Sequence, residues 1–410
     1  MEYGLIGEKL GHSFSKEIHN KIGDYSYELK EIPRGELGEF ISERAFEGIN
    51  VTIPYKQDVI PMLDGVDPAA LKIGAVNTIV NRDGKLYGYN TDFLGMKLLI
   101  ERTGISLTGK KVLILGTGGT SLTATAVAES LGAADILHVS RTAREGVITY
   151  EQAYELHSDA DCIINTTPCG MFPNFRNVPI DIDRFDKLTG VIDAIYNPVC
   201  TELVLAARDK GIKAAGGLYM LVAQAVCAAE FFFDTKYPST LLDDIFADME
   251  KKKSNIVLVG MPGSGKSTVG GILATKLGRK MIDTDRLIID KTGMEITDIF
   301  AKCGEKAFRD IESEVIREIA DQTGLIIATG GGAVLRSENV KELKRNGKLY
   351  LLDRPVENIV ATSDRPLANT KEAVRQRYAE RKPIYEACCD CVIDASVDLD
   401  KVVEAVLASK

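Results

Sequence analysis

The sequence has no leader of the secretory kind. Its start, MEYGLIGEKLGHS, carries neither a basic n-region nor a long apolar core, so no signal peptide is expected. It has no unbroken apolar run of bilayer length. The most apolar stretch, Gly216–Phe233, is interrupted by Gln224 and Glu230 and followed by acid rather than base, which argues against a membrane span. It has no basic excess: 50 Lys+Arg stand against 59 Asp+Glu, a formal net charge of −9, and a nucleic-acid partner is not expected. Histidine is scarce, at four residues, and none lies near the cysteine cluster Cys388, Cys389 and Cys391. No second Cys/His pair completes a zinc spacing, so the eight cysteines read as reduced, packed thiols of a cytoplasmic protein. Internal repeats and low-complexity tracts are also missing.

What is present is a long chain with a divided charge. At 410 residues, two or three domains are expected. Residues 1–250 carry a net charge of −12 and residues 251–410 one of +3, which suggests two units with different ligands, the second more tolerant of anions. The charged segment Asp243–Lys253, DDIFADMEKKK, reads as the linker between them. Both units alternate short β-branched runs with helical patterns, the signature of parallel α/β sheets. In the first unit, strands are expected at Tyr3–Ile6, Gly48–Ile53, Lys111–Leu115, Asp135–Val139, Cys162–Asn165 and Val191–Ala194. Ala75–Val80 and Leu86–Tyr89 read as a hairpin around Arg82-Asp83-Gly84, and Tyr219–Phe233 as a helix packed back across a cleft.

Gly116-Thr117-Gly118-Gly119-Thr120-Ser121 follows one of these strands and opens a helix. That is the setting of a dinucleotide turn: Gly116 permits the tight bend, and Gly118 lets a pyrophosphate approach the helix N-terminus. The next strand ends in Ser140-Arg141-Thr142, with Arg144 beyond, where an NAD-selective site would carry Asp or Glu. A guanidinium at that point suits a 2′-phosphate, with Thr142 as a second donor, so the cofactor is read as NADP. Nicotinamide chemistry on an alcohol or ketone needs an acid/base near the reacting oxygen. Lys56 in NVTIPYK and Asp92 in GYNTD form a candidate pair that shares a proton and holds the lysine in place.

Gly260-Met261-Pro262-Gly263-Ser264-Gly265-Lys266-Ser267-Thr268 lies between the strand Ile256–Val259 and a helix expected at Thr268–Leu277. This is a phosphate-binding P-loop in its required context. Its backbone N–H groups cradle phosphates, Lys266 reaches the β and γ oxygens, and Ser267 binds Mg²⁺. The motif alone leaves an NTPase, a nucleotide kinase and a small-molecule kinase open. Asp283 and Asp285 after a short strand add two carboxylates, one for metal and one for an acceptor hydroxyl. Arg309 on a helix, Gly330-Gly331-Gly332 at a strand end, Arg365 and Arg381 add cations and an open approach suited to a carboxylate-bearing substrate.

Across residues 1–245 the chain resembles the shikimate dehydrogenases. The matching residues are Ser13-Phe14-Ser15, Asn50–Lys56, Gly74–Thr78, Asn90-Thr91-Asp92, Gly116–Ser121, Ser140-Arg141-Thr142, Asn165–Met171, Asp193–Pro198 and Met220–Gln224. The resemblance implies that Ser13 and Ser15 bind the shikimate carboxylate with Tyr196 nearby. Thr52, Asn77, Asp92 and Gln224 would hold the ring hydroxyls, and Lys56 would be the proton donor or acceptor. Gly217 and the Ala194 region would line the nicotinamide, and hydride would pass from NADPH to the C3 carbonyl of 3-dehydroshikimate. Tyr219 stands where the family often has a small residue, so a different nicotinamide packing is expected, and the segment after Arg144 is shortened where a helix is usual.

Residues 254–410 resemble the shikimate kinases on the P-loop, Asp283-Thr284-Asp285, Phe308–Glu312, Gly330–Gly332, Arg365-Pro366-Leu367 and Arg381–Tyr385. This implies that Asp285, Arg309, Gly331 and Arg381 bind shikimate, with Asp285 orienting or deprotonating its 3-hydroxyl. Gly263 to Thr268 and Arg365, the latter on a short lid, would bind ATP, and Ser267 and Asp283 would hold Mg²⁺. Residues 359–362 lack a base that the family often carries ahead of Arg365. The expected architecture is therefore α/β throughout. Residues 1–100, completed by a helix near 219–245, form a substrate domain; 101–218 form a Rossmann NADP-binding domain; 254–410 form a P-loop kinase domain with a parallel sheet. The expected activity is NADPH-dependent reduction of 3-dehydroshikimate followed by ATP-dependent phosphorylation of shikimate. The rivals are a quinate/shikimate dehydrogenase of broader specificity joined to the kinase, and a chain in which one unit is a binding or regulatory module.

The NADP reading has a direct test. Arg141→Ala should raise KM for NADPH far more than for NADH, because a lost charged hydrogen bond costs on the order of 1.5–3 kcal/mol. Equal changes for both cofactors in steady-state assays would remove Arg141 from 2′-phosphate recognition.

Overall fold

A computed structural model describes residues 1–10, 14–359 and 371–409. The backbone divides into two units, Met1–Glu250 and Lys251–Lys410. The first holds two six-stranded sheets, the second one five-stranded sheet.

The first sheet comprises β1 (Tyr3–Gly7), β2 (Tyr27–Glu31), β3 (Gly48–Val51), β4 (Gly65–Val66), β5 (Thr78–Arg82) and β6 (Lys85–Tyr89). Its spatial order is β2-β1-β3-β5-β6-β4. The first three strands run parallel, and β5 turns against β3. The β5–β6 hairpin closes on Asp83-Gly84, with φ of 52° and 80°. Two consecutive left-handed residues match the right-handed twist of the strands they join, and Asp-Gly tolerates that conformation.

The second sheet comprises β7 (Lys111–Leu115), β8 (Asp135–Ser140), β9 (Val147–Thr149), β10 (Cys162–Asn165), β11 (Gly190–Asp193) and β12 (Lys213–Ala215). All pairings are parallel, in the order β12-β11-β10-β7-β8-β9. This is the doubly wound dinucleotide-binding topology, whose strand order reverses between β7 and β10. Ligands sit beyond the carboxyl ends of strands at such a switch point, and Gly116 follows β7 there.

Strands β2, β4, β9 and β12, which the sequence pattern does not reveal, are all outermost in their sheets. An edge strand is buried on fewer sides, so its residues need not alternate: β2, YELKE, buries only Tyr27. The segment after Arg144, expected to be shortened, is a tight turn in which Arg144 and Val147 exchange backbone hydrogen bonds across Glu145-Gly146.

Two helices tie the first unit together. Thr91–Thr103 is N-capped by Asn90, whose Oδ1 accepts from Phe93 N at 3.0 Å, and ends at Gly104 with φ of 68°. It packs along Leu218–Phe233, the helix expected to return across the cleft. Met96, Leu99 and Ile100 from one and Val222, Ala223 and Val226 from the other join one buried cluster with Ile114 and Val127 of the dinucleotide fold. The segment Asp243–Lys253, expected as the linker, contains the division between the units and is helical, part of Ser239–Lys253. Its Leu242, Ile245 and Met249 fall on one face and bury against the first unit.

The second unit contains β13 (Asn255–Val259), β14 (Met281–Asp283), β15 (Ile326–Ala328), β16 (Gly347–Asp353) and β17 (Cys391–Asp394), all parallel, ordered β14-β15-β13-β16-β17. Val257, Val259, Leu349 and Leu351 face one core, and Ile256, Leu258, Tyr350 and Leu352 face another. Burial on both sides explains why these strands read as continuous apolar runs. The P-loop helix runs Lys266–Leu277, two residues earlier than expected. All eight cysteines are free. Among the described residues no helix is long and apolar enough to cross a membrane.

At Gly95 the two packed helices leave no space for a side chain: a Cβ would lie 2.7 Å from Met220 O and 3.1 Å from Gln224 N. Backbone atoms cannot yield as a side-chain tip does. Gly95→Val should therefore destabilise the first unit by about 1–3 kcal/mol, read as a lower midpoint in denaturant unfolding.

Candidate active sites

A cavity of about 490 Å³ opens beyond the ends of β1 and β3 in the first unit. Ser15, Thr52, Lys56, Asn77, Asp92, Tyr196 and Gln224 line it together with Thr120, Ala194 and Gly217. The sequence candidates for an acid substrate and for a nicotinamide thus share one wall. Ser13 lies outside the described residues.

Each side chain is held by an identifiable element. Lys56 Nζ donates to Asp92 Oδ2 at 2.5 Å, with the two side chains 26% and 18% exposed. Asp92 sits in the first turn of the Thr91–Thr103 helix, where unpaired N–H groups favour a carboxylate. Partial burial strengthens the pair without closing it to a ligand. Asn77 is buried, its Oδ1 accepting from Thr91 N at 2.6 Å. Thr52 N donates to Ile6 O at 2.9 Å, fixing the end of β3 against β1. Gln224, on the Leu218–Phe233 helix, donates Nε2 to Leu221 O. The Tyr196 ring lies 5.5 Å from that of Phe14, and burial pushes its phenol pKa up, keeping it a hydrogen-bond donor.

The dinucleotide side is built for close approach. Gly116 has φ of 104°, and a Cβ there would meet Thr166 Oγ1 at 2.9 Å across the switch point. Nothing stands within 4 Å of where a Cβ on Gly118 or Gly119 would be, so the helix N-terminus is open. Ser121, at the third glycine position, is buried and turns its hydroxyl onto Gly118 O at 2.6 Å. Thr117 and Thr120 flank this turn. Ser140 Oγ bonds both the N–H and the carbonyl of Thr142, shaping the bend that presents Arg141. Arg141, Thr142 and Arg144 are exposed, and neither arginine has an ion-pair partner among the described residues. A Cβ on Gly217 would overlap Ala194 O, so these two segments can cross only with glycine there. Open glycines and unpaired guanidinium groups fit a 2′-phosphorylated dinucleotide.

Several features of this site went unread in the sequence. Tyr219, expected near the nicotinamide, is not in the cavity wall. It packs on Phe246 at 5.2 Å between ring centroids, with the Arg102 guanidinium 4.5 Å above its own ring. Asp193, which was given no role, is fully buried and accepts from Ile195 N and Asn165 Nδ2 at 3.0 Å and from Thr201 Oγ1 at 2.7 Å. Burial raises its carboxyl to about 6 against these hydrogen bonds. It anchors the turn that carries Ala194 and Tyr196. Lys9, also unnoticed, contributes an exposed amine to the same cavity.

The second unit holds a cavity of about 880 Å³ around the P-loop. Gly260, Gly263 and Gly265 take φ of 143°, 83° and 96°, conformations that wrap the loop. Ser264 is buried within it, and Thr268 continues the helix. Lys266 Nζ donates to the carbonyls of Gly260 and Met261 at 2.9 Å. Ser267 Oγ donates to Asp283 Oδ2 at 2.6 Å, and Asp283 Oδ1 caps the following helix through Asp285 N and Arg286 N. Among the described residues no cluster of three His, Cys, Asp or Glu could hold a metal. A hydroxyl beside one carboxylate fits Mg²⁺, which keeps waters and takes its other ligands from phosphates.

Asp285, Arg309, Gly331 and Arg381 line this cavity together. Burial raises the Asp285 carboxyl above its ordinary range, and the Asp283 charge adds to the effect. Arg381 Nη1 donates to Gly331 O at 2.9 Å. The glycine run lets all of them meet. A Cβ on Gly330 would stand 2.6 Å from Asp285 Oδ1 and 2.8 Å from Glu312 Oε1, one on Gly331 would strike Pro262, and one on Gly332 would overlap the Arg309 guanidinium. Arg365 lies outside the described residues. Sequence reasoning passed over Glu312, fully buried, which takes Arg309 Nη1 at 2.6 Å; Tyr385, whose hydroxyl donates to Gly331 O; and two further lining cations, Arg354 and Arg377. Glu312 was legible three residues after Arg309, a helical ion-pair spacing. Asp285 Oδ1, Glu312 Oε1 and Arg309 Nε are buried without a hydrogen-bond partner. Such atoms are costly unless a ligand engages them, and their donors and acceptors suit a polyhydroxylated acid.

Comparison with known proteins agrees with both halves. Residues 5–79 match the family described as "Shikimate dehydrogenase substrate binding domain". The chain is 36% identical over 266 residues to a "Shikimate dehydrogenase (NADP(+))" of Clostridium perfringens, covering 60% of this chain and 98% of that protein. The chain belongs to the shikimate dehydrogenase family. Residues 262–409 match the family described as "Shikimate kinase", so the chain joins a shikimate kinase domain to that dehydrogenase. Among solved structures, a chorismate mutase/shikimate 5-dehydrogenase fusion protein from Clostridium acetobutylicum is 36% identical, with a TM-score of 0.58 over 61% of this chain and 97% of that one. The shikimate 5-dehydrogenase of Thermus thermophilus in complex with NADP(H) and shikimate is 27% identical, with a TM-score of 0.54 over 60% and 99%.

The crowding at Gly332 makes a measurable demand. Gly332→Ala must push the Arg309 guanidinium aside, and displacement of a binding group by about 1 Å costs on the order of 10²-fold in rate. Kinase kcat/KM should fall to that extent, while the dehydrogenase activity of the same chain stays at its wild-type level.

Proposed function

We propose that this chain catalyses two consecutive reactions: NADPH-dependent reduction of 3-dehydroshikimate to shikimate, then Mg-ATP-dependent phosphorylation of the shikimate 3-hydroxyl. The observation that carries the first is the Lys56–Asp92 pair, 2.5 Å apart in a cavity walled by candidates for both carboxylate and nicotinamide. The second rests on the P-loop sharing its cavity with Asp285, Arg309 and Arg381. Residues 1–100 with the helix near 219–245 act as the substrate domain, 101–218 as the NADP domain and 254–410 as the kinase domain, in a cytoplasmic enzyme.

NADPH supplies the hydride and Mg-ATP the phosphoryl group. In the first site Ser15 and Tyr196, with Ser13, orient the carboxylate, and Thr52, Asn77 and Gln224 hold the ring hydroxyls. Lys56 donates its proton to the oxygen that becomes the 3-hydroxyl, and Asp92 stabilises the ammonium form beforehand. Arg141, Thr142 and Arg144 select the 2′-phosphate. In the second site Arg309, Gly331 and Arg381 position shikimate, and Asp285 accepts the proton of the attacking hydroxyl. Lys266 stabilises charge on the transferring group, while Ser267 and Asp283 hold Mg²⁺. A carboxylate raised by burial is a better base than an exposed one.

The two sites use disjoint residues, which makes the reading separable. Wild-type protein given 3-dehydroshikimate, NADPH and Mg-ATP should form 3-phosphoshikimate with both cofactors consumed one for one. Lys266→Ala should accumulate shikimate with NADPH oxidation intact. Lys56→Ala should lower dehydrogenase kcat by on the order of 10²–10⁴ yet still phosphorylate added shikimate. Wild-type protein that stops at shikimate with ATP untouched would sink the kinase assignment.

A further inference from the structure

Five cations line the P-loop cavity, and three are engaged: Lys266 on the loop carbonyls, Arg309 on Glu312 and Arg381 on Gly331 O. Arg354 and Arg377 are the other two, each with a buried Nε that has no hydrogen-bond partner. Arg354 directly follows β16, which pairs with the P-loop strand β13 and so sets it on the nucleotide side. Arg377 does not adjoin that strand. It stands on the helix Lys371–Cys388, one turn before Arg381, so the two share a helix face. Its Nε is buried without a hydrogen-bond partner, and the residue makes no ion pair among the described residues.

The groups whose charges act on Arg377 are Arg381, Arg309, Glu305 and Glu380; no P-loop residue is among them. Both acids are occupied. Glu305 Oε1 lies 3.4 Å from Arg309 Nη2, and Glu380 Oε1 accepts from Gln376 Nε2 at 2.9 Å. Burial, and then the like charge of Arg381, work against the cation. A partly buried guanidinium that shares a cavity with two others is better accommodated when an anion joins them. The nucleotide phosphates have the loop and Lys266. The anion left for this corner belongs to the acceptor.

We propose that Arg377 binds the carboxylate of shikimate, beside Arg309 and Arg381, as a third guanidinium that selects acid over neutral acceptors. The proposal rests on the kinase reading above. Guanidinium pairs recognise a planar carboxylate through several N–H donors at once, so a group of them discriminates an acid from its ester.

The test uses the full chain, with Arg377→Met and Arg377→Lys, assayed for phosphorylation of shikimate and of its methyl ester. Arg377→Met should raise KM for shikimate about tenfold, the size expected for a lost charge-assisted hydrogen bond, with KM for ATP and kcat within about twofold. Arg377→Lys should recover part of the loss. With the methyl ester, wild type and Arg377→Met should have the same KM, because the partner of the guanidinium is then gone. An unchanged KM for shikimate, an equal shift for acid and ester, or a shift in KM for ATP alone would each overturn the assignment. Absence of phosphorylation by the wild-type chain would instead overturn the kinase reading. Unchanged kcat and KM for ATP in the same samples report a folded kinase unit, dehydrogenase turnover reports the total chain, and Arg377→Lys keeps the question answerable if the methionine variant folds poorly.

Discussion

Both sites depend on the absence of a side chain where a parallel strand ends. At the carboxyl edge of such a sheet, N–H groups and helix starts point toward the ligand, but one Cβ in the wrong place blocks them. Gly116 meets Thr166 across the switch point, and Gly217 crosses Ala194 with no room to spare. In the second unit Gly330, Gly331 and Gly332 bring Asp285, Glu312, Pro262 and Arg309 within a van der Waals diameter of the bare chain. Remove that constraint and the charged groups no longer meet, whatever their identity.

Given the close approach, the two units handle charge in opposite ways. Lys56 and Asp92 neutralise each other in a partly exposed cleft, so the pair forms without a large desolvation cost. The kinase pocket buries more charge than it pairs. Asp285 and Glu312 are both pushed up by burial, and each keeps an oxygen unpartnered. Such groups lower stability in the free protein unless a polar ligand supplies the missing partners.

The sequence was legible where chemistry requires a motif and opaque where packing decides. The P-loop, the Gly116–Ser121 turn and central strands such as β7 and β13 follow from residue order alone, while β16 went unread. Lys56 and Asp92, 36 positions apart, could be named as a candidate pair from the chemistry, but their meeting depends on β5, β6 and the capped helix between them. The edge strands carried too little pattern, and the Ser239–Lys253 helix hid its three apolar anchors among acids and lysines. Tyr219 misled because its position in the chain says nothing of which way its ring turns; Arg102 and Phe246 decide that. Asp193 matters through burial, which has no signature in a single sequence, whereas Glu312 carried one in its spacing to Arg309.

The bend after β8 has one further consequence. Arg141, Thr142 and Arg144 are exposed, and the short turn behind them supplies no helix to shield a phosphate held there as proposed. Attraction across open solvent is screened over about 8 Å at physiological ionic strength, whereas a partly buried pair such as Lys56–Asp92 is screened far less. Rising salt therefore erodes the choice between NADPH and NADH well before it touches proton transfer. On the proposed roles, the dehydrogenase would become less discriminating in brine while remaining competent, with selectivity set in the solvent and the acid/base set in the cleft.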